Sequence, residues 1–430
     1  MSYEAYCDDS LGFTTKQLHA GYNPSEHYRS KAVPVYQSVS FELGDYERCL
    51  RIYEQAQEAY SYSRSLNPTT AVLERRMAAL EGASGALALG SGMAAIANTF
   101  LNLASAGDNI VAVKTLYGGT TTLLQHILPQ YSITGRFVEN PQDIDSYEKA
   151  ITDKTKALFI ESLGNPALNI VDIEAVAALA HRYALPLIVD NTFATPYLLR
   201  PFEFGADIVC YSATKYLGGH GIALAGLVLE KGGFNWFSGR FPYFESFYHE
   251  YKDRLPDLAE TLFIKRMRMV YLSDMGAHLS PSSAFSILQG IETLSLRMER
   301  HVTNAKQIAL FLSGHPAVSE VLYPTLPTSP YHDLADKYFK KGAGAMLSIR
   351  LAGGKSAALA VLERLRIFDF MVNMGDAKSM IVHPASSTHS GQPEAEQHAA
   401  GVFADTLRLS IGIEDTEDLI QDLRQALEMR

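Results

Sequence analysis

The stretch Ala206-Asp-Ile-Val-Cys-Tyr-Ser-Ala-Thr-Lys-Tyr-Leu-Gly-Gly-His-Gly221 runs from an apolar segment into two hydroxyl residues, a lysine and a glycine-rich turn. It reads as a buried strand whose end delivers Lys215 to a crevice, where burial lowers the pKa of the amine and frees it for Schiff-base formation. Ser212 and Thr214 flank the lysine with small hydroxyls of the kind that hold a phosphate. Upstream, Pro186-Leu-Ile-Val-Asp190-Asn-Thr192 is a second short apolar run ending in a single acid. In an open parallel sheet both strand ends face one ligand crevice, so Asp190 and Lys215 point at one bound molecule. Taken alone, Lys215 would read as a solvated lysine after a turn. An acid for a pyridinium nitrogen, a lysine for an aldehyde and hydroxyls for a phosphate together describe pyridoxal phosphate.

Around these two strand ends the chain alternates. Strand-like segments at 86–89, 109–114, 157–161, 187–190 and 207–211 are interleaved with helical patterns at 69–80, 120–128 and 172–183. Such alternation implies an α/β fold, a mostly parallel sheet with helices on both faces. Gly82 to Gly107 carries no charge and is long enough to cross a bilayer. Its glycines and asparagines divide it into a strand, a Gly-Ser-Gly turn and a small-residue helix, so it reads as buried core. Residues 1–65 show no long clean period and read as an arm. Residues 66–290 read as the large domain. From 291 the texture changes to a long amphipathic helix, strands near 318–323 and 344–351 and a terminal helix at 416–429, a smaller α+β domain over 291–430.

The composition is 47% apolar and 20% charged, that of an ordinary globular protein. A net charge of -10 argues against nucleic acid or an anionic membrane as partner. Cys7, Cys49 and Cys210 stand at no metal-ligand spacing and suggest neither a disulfide framework nor a zinc site, which fits a reducing cytoplasm. Glu4, Asp8 and Asp9 stand where a secretory signal would need a basic segment. Neither a metalloprotease H-E-x-x-H nor a hydrolase G-x-S-x-G occurs.

Other residues carry two readings each. Gly90-Ser-Gly92-Met93 matches the loose dinucleotide pattern, yet the next strand ends in Lys114 where that pattern wants an acid. A phosphate seat at a helix N-terminus, or a tight turn, remains. Tyr117 offers a ring to stack on a flat cofactor, or core filling. Asn165-Pro166 offers an amide to a phenolic oxygen or carboxylate, or a plain turn. Tyr62 and Arg64 form a surface pair, or reach a neighbouring subunit's phosphate from the arm. Arg408, inside the apolar Leu407-Arg-Leu-Ser-Ile-Gly-Ile413, is costly without an anion, and a substrate carboxylate would serve.

Tyr62-Ser-Arg-Ser-Leu-Asn-Pro-Thr69, Leu116-Tyr-Gly-Gly119, Glu161-Ser-Leu-Gly-Asn-Pro166, Val189-Asp-Asn-Thr192, the lysine stretch, His383-Pro-Ala-Ser386 and Arg408-Leu-Ser-Ile-Gly412 resemble the Cys/Met-metabolism family of pyridoxal-phosphate enzymes. The resemblance covers nearly the whole chain. Gly218-Gly-His-Gly221, Gly239-Arg-Phe-Pro242 and the run from Leu288 to Arg300 are most similar to the O-acetylhomoserine sulfhydrylase branch.

The resemblance implies a fold-type-I transferase in which Lys215 carries the cofactor and moves protons and Asp190 pairs with the pyridinium. Tyr117 would be the stacking ring and a second catalytic group. Gly92, Met93, Ser212 and Thr214 would hold the phosphate, with Thr192 beside them. Tyr62 and Arg64 would arrive from the next subunit of a homo-oligomer, a tetramer. Asn165, Ser386 and Arg408 would fix the amino-acid substrate and a cofactor oxygen. The implied reaction is γ-replacement, O-acetyl-L-homoserine and sulfide giving L-homocysteine and acetate. An O-succinyl donor, a cystathionine γ-synthase or a methionine γ-lyase are the alternatives, and Gly119 stands where γ-lyases carry a cysteine. A silent scaffold of the same fold would have no need of Lys215, Asp190 and Arg408 together. The aromatic run Phe234 to Tyr251 resembles an insertion of the sulfhydrylases. Lining the entrance, with only Arg240 and Glu245 as charged groups before His249, it would offer little to cysteine's paired charges and so would favour sulfide.

Overall fold

The computed structural model describes residues 10–54, 59–255, 257–391, 393–399 and 401–428, so Cys7, the N-terminal acids and Met429 lie outside the described residues. Seven strands build the larger sheet: β1 (Gly85–Leu89), β2 (Asn109–Ala112), β3 (Thr134–Phe137), β4 (Thr155–Glu161), β5 (Leu187–Asp190), β6 (Ile208–Ser212) and β7 (Gly226–Glu230). Their order is β1-β7-β6-β5-β4-β2-β3. β7 is antiparallel to both its neighbours, and the other pairings are parallel. β2, β4, β5 and β6 are nearly continuous apolar runs, as strands covered on both faces require.

The sequence reading located five of these strands and missed two. β3 is a short, half-exposed edge strand with no apolar run. β7 is apolar and buried throughout, but five residues carry no period by which to place them.

Local signals set the elements that frame the crevice. The helix Pro68–Glu81 starts where the Asn67 side chain accepts from the Thr69 N–H and stops at Gly82, whose φ of 76° suits glycine. The helix Gly92–Leu103 is capped by Ser91, which accepts from the Ala94 N–H at 3.0 Å. The single helix expected at 120–128 is instead one α-turn (Gly118–Thr122), a π-helical stretch (Leu123–Ile127) and a 3₁₀ turn (Leu128–Tyr131). Pro129 cannot donate to the regular ladder there.

A second sheet holds β8 (Val318–Leu322), β9 (Met346–Leu351), β10 (Asp369–Phe370), β11 (Met380–Val382) and β12 (Thr406–Ser410) in the order β10-β11-β12-β9-β8. The helices Leu294–Ser313, Gly354–Arg364 and Thr416–Glu428 pack with it. Among the described residues no helix is long and apolar enough to cross a membrane.

The aromatic segment does not face the crevice. Trp236 is fully buried, stacked on Phe244 at 4.4 Å and on Phe263 at 5.6 Å between ring centroids. Below it the Glu230 carboxylate accepts from the Phe263 and Ile264 N–H groups, and burial pushes its pKa up to about 8. Trp236, Phe241, Phe244 and Phe247 of this segment are core, whereas Phe237 and Tyr243 are exposed.

Candidate active site

A cavity of about 890 Å³ lies where β4, β5 and β6 end, closed from the other side by residues 372–374, Thr388, His389, Gly391, Pro393 and Arg408. Lys215 follows β6 in a tight turn, with its N–H on the Ser212 carbonyl and its carbonyl accepting from the Gly219 N–H at 2.7 Å. Arg297 holds that turn from the helix Leu294–Ser313, donating to the carbonyls of Tyr216 at 2.8 Å and Leu217 at 3.3 Å and to Gly290 at 2.7 Å. The Lys215 amine donates to the Asn373 side-chain oxygen at 2.5 Å. Burial, and next the positive charge of Arg408, hold its pKa below the ordinary lysine value.

Asp190 ends β5. Its Oδ1 accepts from the Thr192 hydroxyl at 2.6 Å and the Thr192 N–H at 3.0 Å, and the same hydroxyl accepts from the Ser212 N–H at 2.8 Å. Thr192 therefore orients the acid and ties it to the lysine strand. Burial raises the Asp190 pKa, and the Thr192 bonds oppose the rise.

Gly92 and Met93 line the cavity in the first helical turn, where backbone N–H groups lack helical partners. A Cβ on Gly92 would stand 2.6 Å from Ser212 Cβ, so only glycine lets this helix start abut the Ser212 hydroxyl. The Thr214 hydroxyl accepts from the Ala225 N–H at 3.0 Å and braces the next loop.

Tyr117 lines the cavity with a half-exposed ring, and its N–H donates to Glu161 Oε1 at 2.6 Å. Asn165 and Arg408 meet deep in the cavity, where Arg408 Nη1 donates to Asn165 Oδ1 at 3.1 Å and Nη2 to the Asn373 carbonyl at 3.3 Å. Arg408 Nε is buried without a hydrogen-bond partner, and among the described residues no carboxylate pairs with this guanidinium. Burial lowers its pKa to about 10, so it remains a cation at neutral pH. A buried cation with a free donor calls for an anion from outside the chain.

Three expected residues stand elsewhere. Tyr62 and Arg64 are exposed on the arm, the guanidinium 5.3 Å from the Tyr62 ring centroid, and neither lines this chain's cavity. Ser386 is exposed, and a 3₁₀ turn directs its hydroxyl onto His383 Nδ1 at 2.7 Å and away from the cavity. The cavity instead gains Glu161, Asn373 and His389, which sequence reasoning gave no role. Glu161 had a readable signal, an acid closing a buried strand beside Asp190. Asn373 and His389 lie in loops that only tertiary structure brings here.

The donor set fits pyridoxal phosphate: a helix start and hydroxyl for a phosphate, a recessed acid for a ring nitrogen, a lysine for the aldehyde, and a spare guanidinium for an amino-acid carboxylate. The comparisons with known proteins agree. The family described as Cys/Met metabolism PLP-dependent enzyme matches residues 14–428. Sulfhydrylase FUB7 of Fusarium oxysporum f. sp. lycopersici is 44% identical over 422 residues, covering 97% of both chains. An O-acetyl-L-homoserine sulfhydrylase of Leptospira meyeri is 41% identical over 96% of both chains. A Campylobacter jejuni crystal structure described as an O-acetylhomoserine (thiol)-lyase, with an N'-pyridoxyl-lysine-5'-monophosphate residue, superposes with a TM-score of 0.93 at 39% identity, over 97% of this chain and all of that one. A match this complete, on a cavity this well suited to the cofactor, places the chain in the Cys/Met metabolism PLP-dependent enzyme family.

Proposed function

We propose that the chain catalyses γ-replacement on O-acetyl-L-homoserine with sulfide, giving L-homocysteine and acetate. The observation that carries this is the unpaired Arg408 guanidinium facing the same cavity as Lys215, the arrangement an α-amino acid needs. The names of the Leptospira and Campylobacter relatives supply the acyl donor. When bound, pyridoxal phosphate supplies an aldehyde for amines and a ring that draws electron density from the substrate's α-carbon.

Asp190, oriented by Thr192, would keep the ring nitrogen protonated. Gly92, Met93, Ser212 and Thr214 would receive the phosphate, and Tyr117 would cover the ring. Arg408 and Asn165 would hold the substrate carboxylate and so aim the α-proton at Lys215. The lowered pKa of Lys215 makes its neutral amine available to take that proton and to return it at the end. Between these events the Cγ–O bond breaks with its electron pair leaving on acetate, and hydrosulfide forms the Cγ–S bond.

We place Tyr62 and Arg64 at a neighbouring copy's phosphate, which makes the working unit a homo-oligomer, a tetramer on the family pattern, and we place it in the cytoplasm. Cysteine as nucleophile would need a second carboxylate partner, and Arg408 is the single arginine of the described residues in the cavity lining. The test presents acetyl, succinyl and phospho esters of homoserine, each with sulfide or with cysteine, and identifies the thiol product. Homocysteine from the acetyl ester, with sulfide used at least about tenfold better than cysteine, is expected. Comparable efficiency with cysteine, or preference for another ester, would overturn the assignment.

A further inference from the structure

We propose that Glu161 is a positioning residue that fixes the main chain of Tyr117, and that it does so as the uncharged acid, leaving Asp190 the single anion at this end of the sheet. The proposal rests on the roles given above to Tyr117 and Asp190.

Glu161 and Asp190 are the last residues of adjacent parallel strands and direct register partners. Their side chains therefore emerge side by side on one face, and both line the cavity. Glu161 is only 6% exposed, and among the described residues no cation pairs with it. Two neighbouring carboxyls in so dry a place do not both ionise. Asp190 receives two hydrogen bonds from Thr192, which favour its anion, whereas Glu161 receives one from the Tyr117 N–H. The proton of the pair therefore settles on Glu161, whose pKa is raised well above the carboxylate range by burial first and by Asp190 second. The cations of the cavity, Lys215 and Arg408, are engaged with Asn373 and Asn165. A neutral carboxyl still accepts the Tyr117 N–H through its carbonyl oxygen.

Gly119 completes the device. A Cβ at 119 would lie 2.6 Å from Tyr117 Cε1 and 3.1 Å from Met93 Sδ, so a side chain there would press the ring and the methionine out of these positions. With the main chain pegged by Glu161 and the half-exposed ring resting against bare Gly119, Tyr117 is held from two sides.

The test compares Glu161→Ala, Glu161→Gln and Gly119→Ala as holoenzymes. Glu161→Ala and Gly119→Ala should each lower kcat about tenfold or more, as small misplacements do, and should alter the visible circular dichroism of the bound cofactor. Glu161→Gln should rescue most of both losses, because its amide oxygen accepts the same N–H without a charge. In an infrared difference spectrum between wild type and Glu161→Gln, the band lost should be that of a protonated carboxyl. Loss of an ionised carboxylate band, a Glu161→Gln protein as damaged as Glu161→Ala, or a Glu161→Ala protein with wild-type dichroism and kcat would each overturn the proposal. If Glu161→Ala does not fold, the glutamine variant and its infrared spectrum decide alone. Failure of the cofactor reading would look different, since the wild type itself would then lack a visible band.

Discussion

The strand-end wall of the cavity and the arm that carries Tyr62 and Arg64 are built on opposite terms. On the wall, Asp190 is gripped by Thr192, and Lys215 and Asn165 are tied across the cavity to Asn373 and Arg408, through bonds of 2.6, 2.5 and 3.1 Å made within the chain. On the arm, Tyr62 and Arg64 are exposed and lean on one another. A preorganised group gains its effect from being held before the ligand arrives, whereas an exposed guanidinium gains one only when something is brought to it. The difference is the one the proposed function calls for, with the reacting half of the site held within the chain and an outer, charge-bearing part to be supplied, on that proposal, by another copy.

Three measurements bear on that contrast. Lys215→Ala attacks the wall at its centre and should lower turnover by about 10³-fold or more and remove the visible absorption of the purified protein. Turnover close to wild type would mean that the wall is not the reacting half.

Arg408→Leu should raise KM for O-acetylhomoserine about 10- to 100-fold, the usual loss when a charge-assisted pair goes. It should also move the rising limb of the pH profile. Arg408 helps, after burial, to hold the Lys215 pKa down. Without that positive charge the pKa rises, less amine is neutral at a given pH, and the limb shifts to higher pH. A limb that stays or moves down would deny the coupling.

Arg64→Ala tests the arm and should weaken cofactor binding by about tenfold, read by reconstitution of the apoprotein. At a cofactor concentration too low to load Arg64→Ala alone, mixing it with the Lys215→Ala chain should recover roughly a quarter of wild-type turnover, since random pairing rebuilds one good site in each mixed dimer. No recovery, or a fully active monomer on a sizing column, would erase the distinction between wall and arm.

The same contrast explains what was legible in the sequence. Asp190 and Lys215 each close an apolar run, so their place at strand ends could be read without coordinates. Arg408 was visible as a charge in an apolar strand, a local anomaly that β12 then explained. His389 left no such mark, because it is a polar residue in a loop among other polar residues, and Asn373, a lone amide between apolar neighbours in a loop without period, acquires its partners Lys215 and Arg408 only on folding. Ser386 misled for the reverse reason: its motif is local, but a short turn sends the hydroxyl to His383. The segment from Phe234 was legible as aromatic and misleading in place, since aromatic content cannot tell a wall from a core. Trp236 between Phe244 and Phe263 is core.

Arg297 carries one consequence into the life history of the protein. Two of its bonds hold the turn that presents Lys215 and a third goes to Gly290, yet it belongs to a helix that packs with the second sheet. During synthesis the lysine strand leaves the ribosome well before that helix, and contacts so distant in sequence form late. Until residue 297 has been made, the turn carrying Lys215 lacks the two bonds that Arg297 gives it, so the half of the chain that holds the lysine depends on the half that follows for the lysine's setting.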